Sequence, residues 1–253
     1  MDMVQHTFVG TKSSRCFMRI SDDLMVSSPE FCFLQLANQL SLIELVEMGY
    51  ELCGLYSLPA TLDQSPPDRG FYNRSPLSTK KKLSTFVEKM PGYRGHQKAV
   101  RAIRYIQDGS ASPMETKVAI LLTLPYKLGG FGFSMPEMNR KFTPSKTDKI
   151  LTSKKYYSGD LFWQHHNLAV EYDSNLHHTG SSNIARDSEK RNAYKLMGIA
   201  LISVTTSQLY NSEEFKKIAF ILAKTLNKRI RVDGKKFALA HQELRDELLE
   251  KGR

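Results

Sequence analysis

Acidic side chains cluster in one short stretch of the chain, YYSGDLFWQHHNLAVEYDSNLHHTG. Asp160 lies in one candidate strand, around Tyr156 to Trp163, and Glu171 and Asp173 lie in or directly after the next, around Leu168 to Tyr172. Because side chains alternate along a strand, Glu171 and Asp173 share one face. If the two strands pair as a hairpin, Asp160 reaches the same face. Three carboxylates would then converge.

Such a cluster constrains its own chemistry. Neighbouring carboxylates repel one another, so at neutral pH they need raised pKa values or a bound cation. Mg²⁺, held by two carboxylates together with substrate phosphate and water, meets this need, and Mn²⁺ is its natural substitute. Phosphodiester hydrolysis uses this arrangement, because the metal activates water and neutralises charge on the leaving oxygen. The alternative interpretation is a set of solvated carboxylates at strand ends.

The elements around this stretch predict an α/β sandwich. Ser112, Pro113 and Glu115 open an apolar run with the spacing of a capped helix. Short strands follow around 140–143, 156–163 and 168–172, then a helix over about 184–197 and a buried strand over 199–205. Two further helices are predicted near the C-terminus. Strands and helices that alternate in this way favour a layered α/β fold.

Residues 1–108 are predicted to form a separate, mainly helical accessory domain, and residues 109–253 the α/β domain. A core-facing helical stripe of apolar residues runs through 29–56. A proline- and glycine-rich loop follows over 59–84 and contains three successive lysines, which we interpret as a solvated helix start. A basic helix is predicted near 95–107.

Charge and composition narrow the functional classes. The chain of 253 residues has a net charge of +10, and residues 111–253 carry 23 Lys and Arg against 15 Asp and Glu. This excess favours a polyanionic partner such as nucleic acid. The three cysteines lack a metal-site spacing and are predicted to be reduced. No long apolar run is present, so we expect a cytoplasmic protein without a membrane partner.

An ordered series of motifs over roughly residues 110–210 resembles the PD-(D/E)XK nuclease superfamily. Its segments are SPMETKVAILLTLPYKLGG, Asp160 with LFW, LAVEYD, His177-His178, Asp187 with Arg191, LMG, and Val204-Thr205 with Gln208. The similarity is greatest to very-short-patch-repair-like endonuclease domains and to an uncharacterised bacterial branch associated with abortive-infection-type defence proteins. The resemblance implies a restriction-endonuclease-like αβα sandwich with a mixed central sheet.

The resemblance also implies roles for individual residues. Asp160 and Glu171 match the metal-binding carboxylates of the family. Asp173 stands where the family usually has a lysine, which leaves open what stabilises the transition-state charge. His178 matches a branch histidine that could act as general acid, general base or phosphate contact. Glu115 matches an acidic residue that many members bring from the first core helix, although a helix-capping role explains it equally well.

Three more side chains are candidates for nucleic-acid contacts. Lys190 and Arg191 could supply positive charge from the helix after the acidic strand. Gln208 follows the last strand, where it could contact the site or begin a helix.

The sequence therefore predicts a Mg²⁺-dependent DNA endonuclease. The second hypothesis is a DNA-binding regulator or antitoxin-like defence protein whose nuclease fold is catalytically weakened by loss of the lysine. The third is an unrelated partner-binding protein whose acidic cluster lies on the surface. The sequence leaves the oligomeric state open.

Overall fold

The computed structural model describes residues 15–58, 71–145, 154–174, 181–232 and 234–250. Helices dominate the first part of the chain, with one small two-stranded sheet before the first helix and another between the second and third helices. The elements are β1 (Phe17–Arg19), β2 (Met25–Ser27), α1 (Pro29–Leu36), α2 (Leu42–Cys53), β3 (Tyr56–Ser57), β4 (Phe71–Tyr72), α3 (Lys80–Glu88) and α4 (His96–Ile103). Thr79 caps α3 through its side chain, so the lysine triplet does begin a helix.

The apolar stripe over 29–56 belongs to two helices, with a break between Leu36 and Leu42. Ser41 is the last residue of this break, and its backbone is extended. Its hydroxyl accepts a hydrogen bond from the Glu44 backbone N–H at 3.0 Å. The Glu44 carboxylate accepts in turn from the Ser41 N–H at 2.8 Å. This capping box satisfies N–H groups that a helix start leaves unpaired, and it begins α2 as a separate helix.

The second part of the chain alternates helices and longer strands. Its elements are α5 (Pro113–Thr123), β5 (Glu137–Phe142), β6 (Tyr157–Trp163), β7 (Leu168–Asp173), α6 (Ser181–Leu196), β8 (Ala200–Thr205), α7 (Thr206–Tyr210), α8 (Ser212–Thr225) and α9 (Lys235–Arg245). Short 3₁₀ turns lie at Tyr126–Leu128 and Gln164–His166, and a π-helical turn at Asp246–Glu250 extends α9. The predicted strands and helices of this region are confirmed, with ends shifted by a few residues.

Strands β5 to β8 form one mixed sheet in the order β5-β6-β7-β8. The pairs β5–β6 and β6–β7 are antiparallel, whereas β7 and β8 are parallel and connected through α6. The predicted hairpin between β6 and β7 is present, and Asn167, with φ +44°, makes its turn. Asparagine tolerates this left-handed conformation better than most residues do.

Helices α5 and α6 cover opposite faces of the sheet. Val170 in β7 belongs to the large hydrophobic cluster that contains the buried side of α5. Its neighbour Ala169 belongs to a smaller cluster with Ala193 and Tyr194 of α6. Since adjacent strand residues point to opposite faces, the two helices sandwich the sheet. The α/β class and the mixed sheet are therefore confirmed.

The large cluster also contains residues from α1 to α4, so one core extends across position 108. The division into two domains there stays a prediction. Cys16, Cys32 and Cys53 are all free thiols, as expected. Within the described ranges, no helix combines the length and apolar character that crossing a membrane requires.

One position interrupts the regular sheet. Asn139 of β5 lies opposite Asp160 of β6, and this is the single pair missing from an otherwise continuous ladder between Glu137 and Phe142. Asn139 has φ +50°. Met138, before it, packs into the large cluster, whereas Phe142, after it, packs into the small one. Residues four apart on a regular strand share a face, so the two faces of β5 change places across Asn139.

Candidate active site

Asp160 and Glu171 lie side by side where β6 and β7 stop pairing. The ladder ends at Leu161 opposite Val170, so continuing the register by one residue puts Asp160 opposite Glu171. At this point the Asp160 side chain replaces the backbone ladder, because its Oδ2 accepts a hydrogen bond from the Tyr172 N–H at 2.8 Å. That bond holds the Asp160 carboxylate next to β7.

Helix α5 brings a third carboxylate, Glu115, to the same place. Ser112 caps the helix, and its hydroxyl accepts from the Glu115 N–H at 3.2 Å. The Glu115 carboxylate accepts from the Ser112 hydroxyl, the Ala111 N–H and the Asn139 side-chain amide, at 3.0, 2.9 and 2.6 Å. Asn139 is the residue with the irregular backbone, so the break in β5 points a donor at this carboxylate. Glu115 therefore belongs to the helix cap, and it also lies near enough to Asp160 for its charge to raise the pKa of that carboxylate.

Burial makes the electrostatics of this cluster unusual. Glu115 and Glu171 are each only 8% exposed. Burial, and then the neighbouring charges of Glu115 and Glu171, raise the pKa of Asp160 to about 8, against the opposing effects of the Tyr172 N–H and Lys190. Burial also raises the pKa of Glu115, which its hydrogen-bond donors counteract. At neutral pH the cluster therefore holds a proton that a bound cation would displace.

A lysine of α6 forms an ion pair with the carboxylate of Glu171. The Lys190 ammonium is 2.7 Å from Glu171 Oε1. The same oxygen accepts a hydrogen bond from the Tyr194 hydroxyl at 2.8 Å. Burial, and then the nearby Glu171, raise the pKa of Tyr194, so its hydroxyl stays protonated and donates. Lys190 and Tyr194 are four residues apart, so they lie one turn from each other on the same helix face.

The other predicted site residues lie around this cluster or away from it. Asp173 ends β7, half-buried and opposite Thr205 of β8. Arg191 is exposed on α6. Gln208 forms a capping box with Thr205 at the start of α7, which gives it a complete structural role. His178 lies outside the described residues.

Sequence reasoning missed two residues of the site, Asn139 and Tyr194. Asn139 lies just outside the expected strand, and an asparagine at a strand interruption is a recognisable signal for a left-handed backbone. Tyr194 was part of a predicted helix, and its spacing of four from Lys190 could have placed both on one face.

The donor set suits a hard divalent cation. In the described part of the chain, no group of three or more His, Cys, Asp or Glu side chains is arranged to hold a metal ion. Mg²⁺, however, is usually bound through one or two carboxylates together with water and substrate phosphate. Asp160 and Glu171 provide such a pair of oxygen donors, and burial with the charges of Glu115 and Glu171 raises the pKa of Asp160 despite the opposing effect of Lys190, which a bound cation would counteract. These two residues fit the ion.

In comparisons with known proteins, no family model, no curated protein and no solved structure matches the chain.

Proposed function

We propose that this chain is a metal-dependent endonuclease that hydrolyses DNA phosphodiester bonds. The observation that carries the proposal is the convergence of Glu115, Asp160 and Glu171 with the Lys190 ammonium at the end of the β6–β7 ladder. Two acidic oxygen donors next to a lysine suit the binding of a metal ion and a phosphate together. The net charge of +10 favours a polyanionic substrate.

The finer fold assignment belongs to the same proposal. A mixed sheet with helices on both faces has the three layers of the restriction-endonuclease-like αβα sandwich that the sequence resembles. We propose this fold for residues 109–253. The bacterial defence role that the resemblance implies, and the cytoplasmic location expected because the sequence has no long apolar run, remain part of this hypothesis.

Each residue would have a separate task in hydrolysis. Asp160 and Glu171 would hold Mg²⁺, or Mn²⁺ in its place, which when bound lowers the pKa of water and neutralises phosphate charge. Lys190 would exchange part of its contact with Glu171 for a phosphate oxygen. This lysine would supply the positive charge that Asp173 cannot provide at the usual lysine position. Glu115, held by Ser112 and Asn139, would orient water near Asp160.

The alternative function is a DNA-binding regulator with a catalytically weakened nuclease fold. Asp173 favours it, since the family's lysine is absent at that position. The Lys190–Glu171 contact of 2.7 Å favours the enzyme, because a lysine is nevertheless present at the carboxylates.

The test is cleavage of end-labelled single-stranded, duplex, mismatched and branched DNA with Mg²⁺ or Mn²⁺, with EDTA as the control. We expect metal-dependent cutting that Asp160→Asn and Glu171→Gln abolish, because each loses a charged ligand while keeping its shape. Lys190→Ala should lower the rate by at least about 100-fold, as loss of a transition-state charge contact does. Asp23→Asn, at an exposed position between β1 and β2, is the matched control and should cut normally.

Two other results would contradict the proposed nuclease function. If the protein binds DNA in a salt-sensitive way but cuts no substrate, and this binding is unchanged in Asp160→Asn and Glu171→Gln, the result favours the DNA-binding regulator. Absence of both binding and cutting would favour the unrelated partner-binding protein.

A further inference from the structure

A basic groove runs beside the candidate active site. It has a volume of about 390 Å³ and is lined by Lys154, Lys155, Tyr156, Tyr157, Ser158 and Lys190. Five of these residues lead into and begin β6, and the sixth comes from α6. Three of the described lining residues are lysines and none is acidic, so the groove suits an anionic chain.

The two tyrosines of the groove differ in what they offer a ligand. Tyr157 is buried, and its hydroxyl donates to Glu189 at 3.0 Å, so it forms part of the wall. Tyr156 is 51% exposed, and the Lys141 ammonium lies 4.9 Å from its ring centroid. An exposed aromatic ring among lysines is a platform on which a nucleic-acid base can stack while the lysines contact phosphates.

Lys190 joins the groove to the carboxylates. It lines the groove and also lies 2.7 Å from Glu171. A phosphate that binds Lys190 would therefore lie between the groove and the proposed metal ligands. A chain in the groove would lead directly to the site of cleavage.

We propose that this groove binds an unpaired DNA strand, with phosphates on Lys154, Lys155 and Lys190 and one base stacked on Tyr156. The proposal deepens the nuclease function and rests on it, because it names the substrate class of the same site. An unpaired strand is required because a side chain can stack only on a base face that is free. In a duplex the neighbouring base pairs cover those faces, whereas single-strand binding proteins combine a basic track with exposed aromatic rings.

Binding in EDTA tests the groove without requiring catalysis. Fluorescence anisotropy with the full chain would compare a labelled single DNA strand with its duplex and with single-stranded RNA of the same sequence. We expect the single DNA strand to bind most tightly. Tyr156→Ala should weaken that binding by at least about fivefold, the lower end of what one stacked base contributes. Tyr156→Phe keeps the ring and should bind like the wild type.

The lysines have a separate signature in the salt dependence. Each phosphate contact to a single strand contributes about 0.7 to the slope of log affinity against log salt. Replacing Lys154 and Lys155 together by alanine should therefore reduce the slope by about 1.4. The matched controls are the exposed pair Lys235 and Lys236 on α9, replaced together by alanine, and Tyr72→Ala on β4. Both controls should leave single-strand binding close to that of the wild type.

The outcomes separate this inference from the nuclease proposal. If the protein cleaves duplex DNA and the groove variants do not affect this cleavage, the proposed strand binding in the groove is wrong and the nuclease function stands. If single-strand binding depends on Tyr156 and the two lysines but no metal supports cleavage, the proposed strand binding is supported and the nuclease function is wrong. The proposed strand binding is also wrong if RNA or duplex DNA binds more tightly than the single DNA strand. It is wrong as well if the control variants lose as much single-strand affinity as the groove variants.

Discussion

The raised pKa of Asp160 predicts that the metal-free protein becomes more stable when this carboxylate is replaced by its neutral isostere. Asp160→Asn keeps the shape of the side chain and an oxygen that can accept from the Tyr172 N–H, as Oδ2 now does. The substitution removes the charge that burial, Glu115 and Glu171 disfavour. The gain in stability should appear only where the wild-type carboxylate is ionised in the unfolded chain.

The size of the effect follows from proton linkage. In the folded protein the pKa of Asp160 rises from 3.8 to about 8, so the folded state keeps a proton that the unfolded state loses. Wild-type stability therefore falls as pH rises through this window. Each pH unit within it corresponds to about 1.4 kcal/mol. From pH 5 to pH 7, the free energy of unfolding of Asp160→Asn should gain about 3 kcal/mol relative to that of the wild type.

Urea unfolding in EDTA measures this difference directly. Trp163, the only tryptophan of the chain, is buried in the core and provides the fluorescence signal. Asp187→Asn, which neutralises an exposed carboxylate on α6, serves as the control and should show no comparable trend. Under the proposed function, saturating Mg²⁺ should stabilise the wild type and have little effect on Asp160→Asn, because the variant would lack one of the two proposed metal ligands. If the difference between wild type and Asp160→Asn is the same at pH 5 and pH 7, Asp160 does not hold this proton and the reasoning fails.

Two further side chains give independent predictions. Burial lowers the pKa of His241, whose Nδ1 bonds the Gly129 carbonyl oxygen at 2.6 Å, so the unfolded chain takes up the proton first. The free energy of unfolding should therefore fall as pH drops below about 6.5. In urea unfolding, His241→Asn should lack this fall. A fall of equal size in the variant would contradict the prediction. Tyr194→Phe removes the donor to Glu171 and should lower the free energy of unfolding by about 1 to 3 kcal/mol. A double-mutant cycle with Glu171→Ala, which removes the acceptor, checks this, and purely additive losses would show that the bond contributes nothing.

Local patterns in the sequence predicted much of the fold. The alternation in LAVEYD, the turn before Leu168 and the capped start at Ser112 each depend on residues close together in the chain, and each is present. The hairpin that brings Asp160 towards Glu171 followed from the same logic, because a short hairpin sets its own register. The stripe over 29–56 is helical and faces the core, but periodicity alone does not show that Ser41 begins a second helix within it.

Some contacts in the site join elements that are distant in the sequence, so no local pattern predicts them. The Lys190–Glu171 ion pair joins α6 to β7, and the Asn139–Glu115 hydrogen bond joins β5 to α5. The exposure of Tyr156 beside three lysines likewise depends on how β6 and α6 lie against each other. The sequence alone determined which residue types lie in which strands and helices, because propensity, capping and alternation act over a few residues. Only the tertiary structure decided which carboxylates are buried together and which lysine neutralises them, because burial and charge proximity depend on packing between elements distant in the chain.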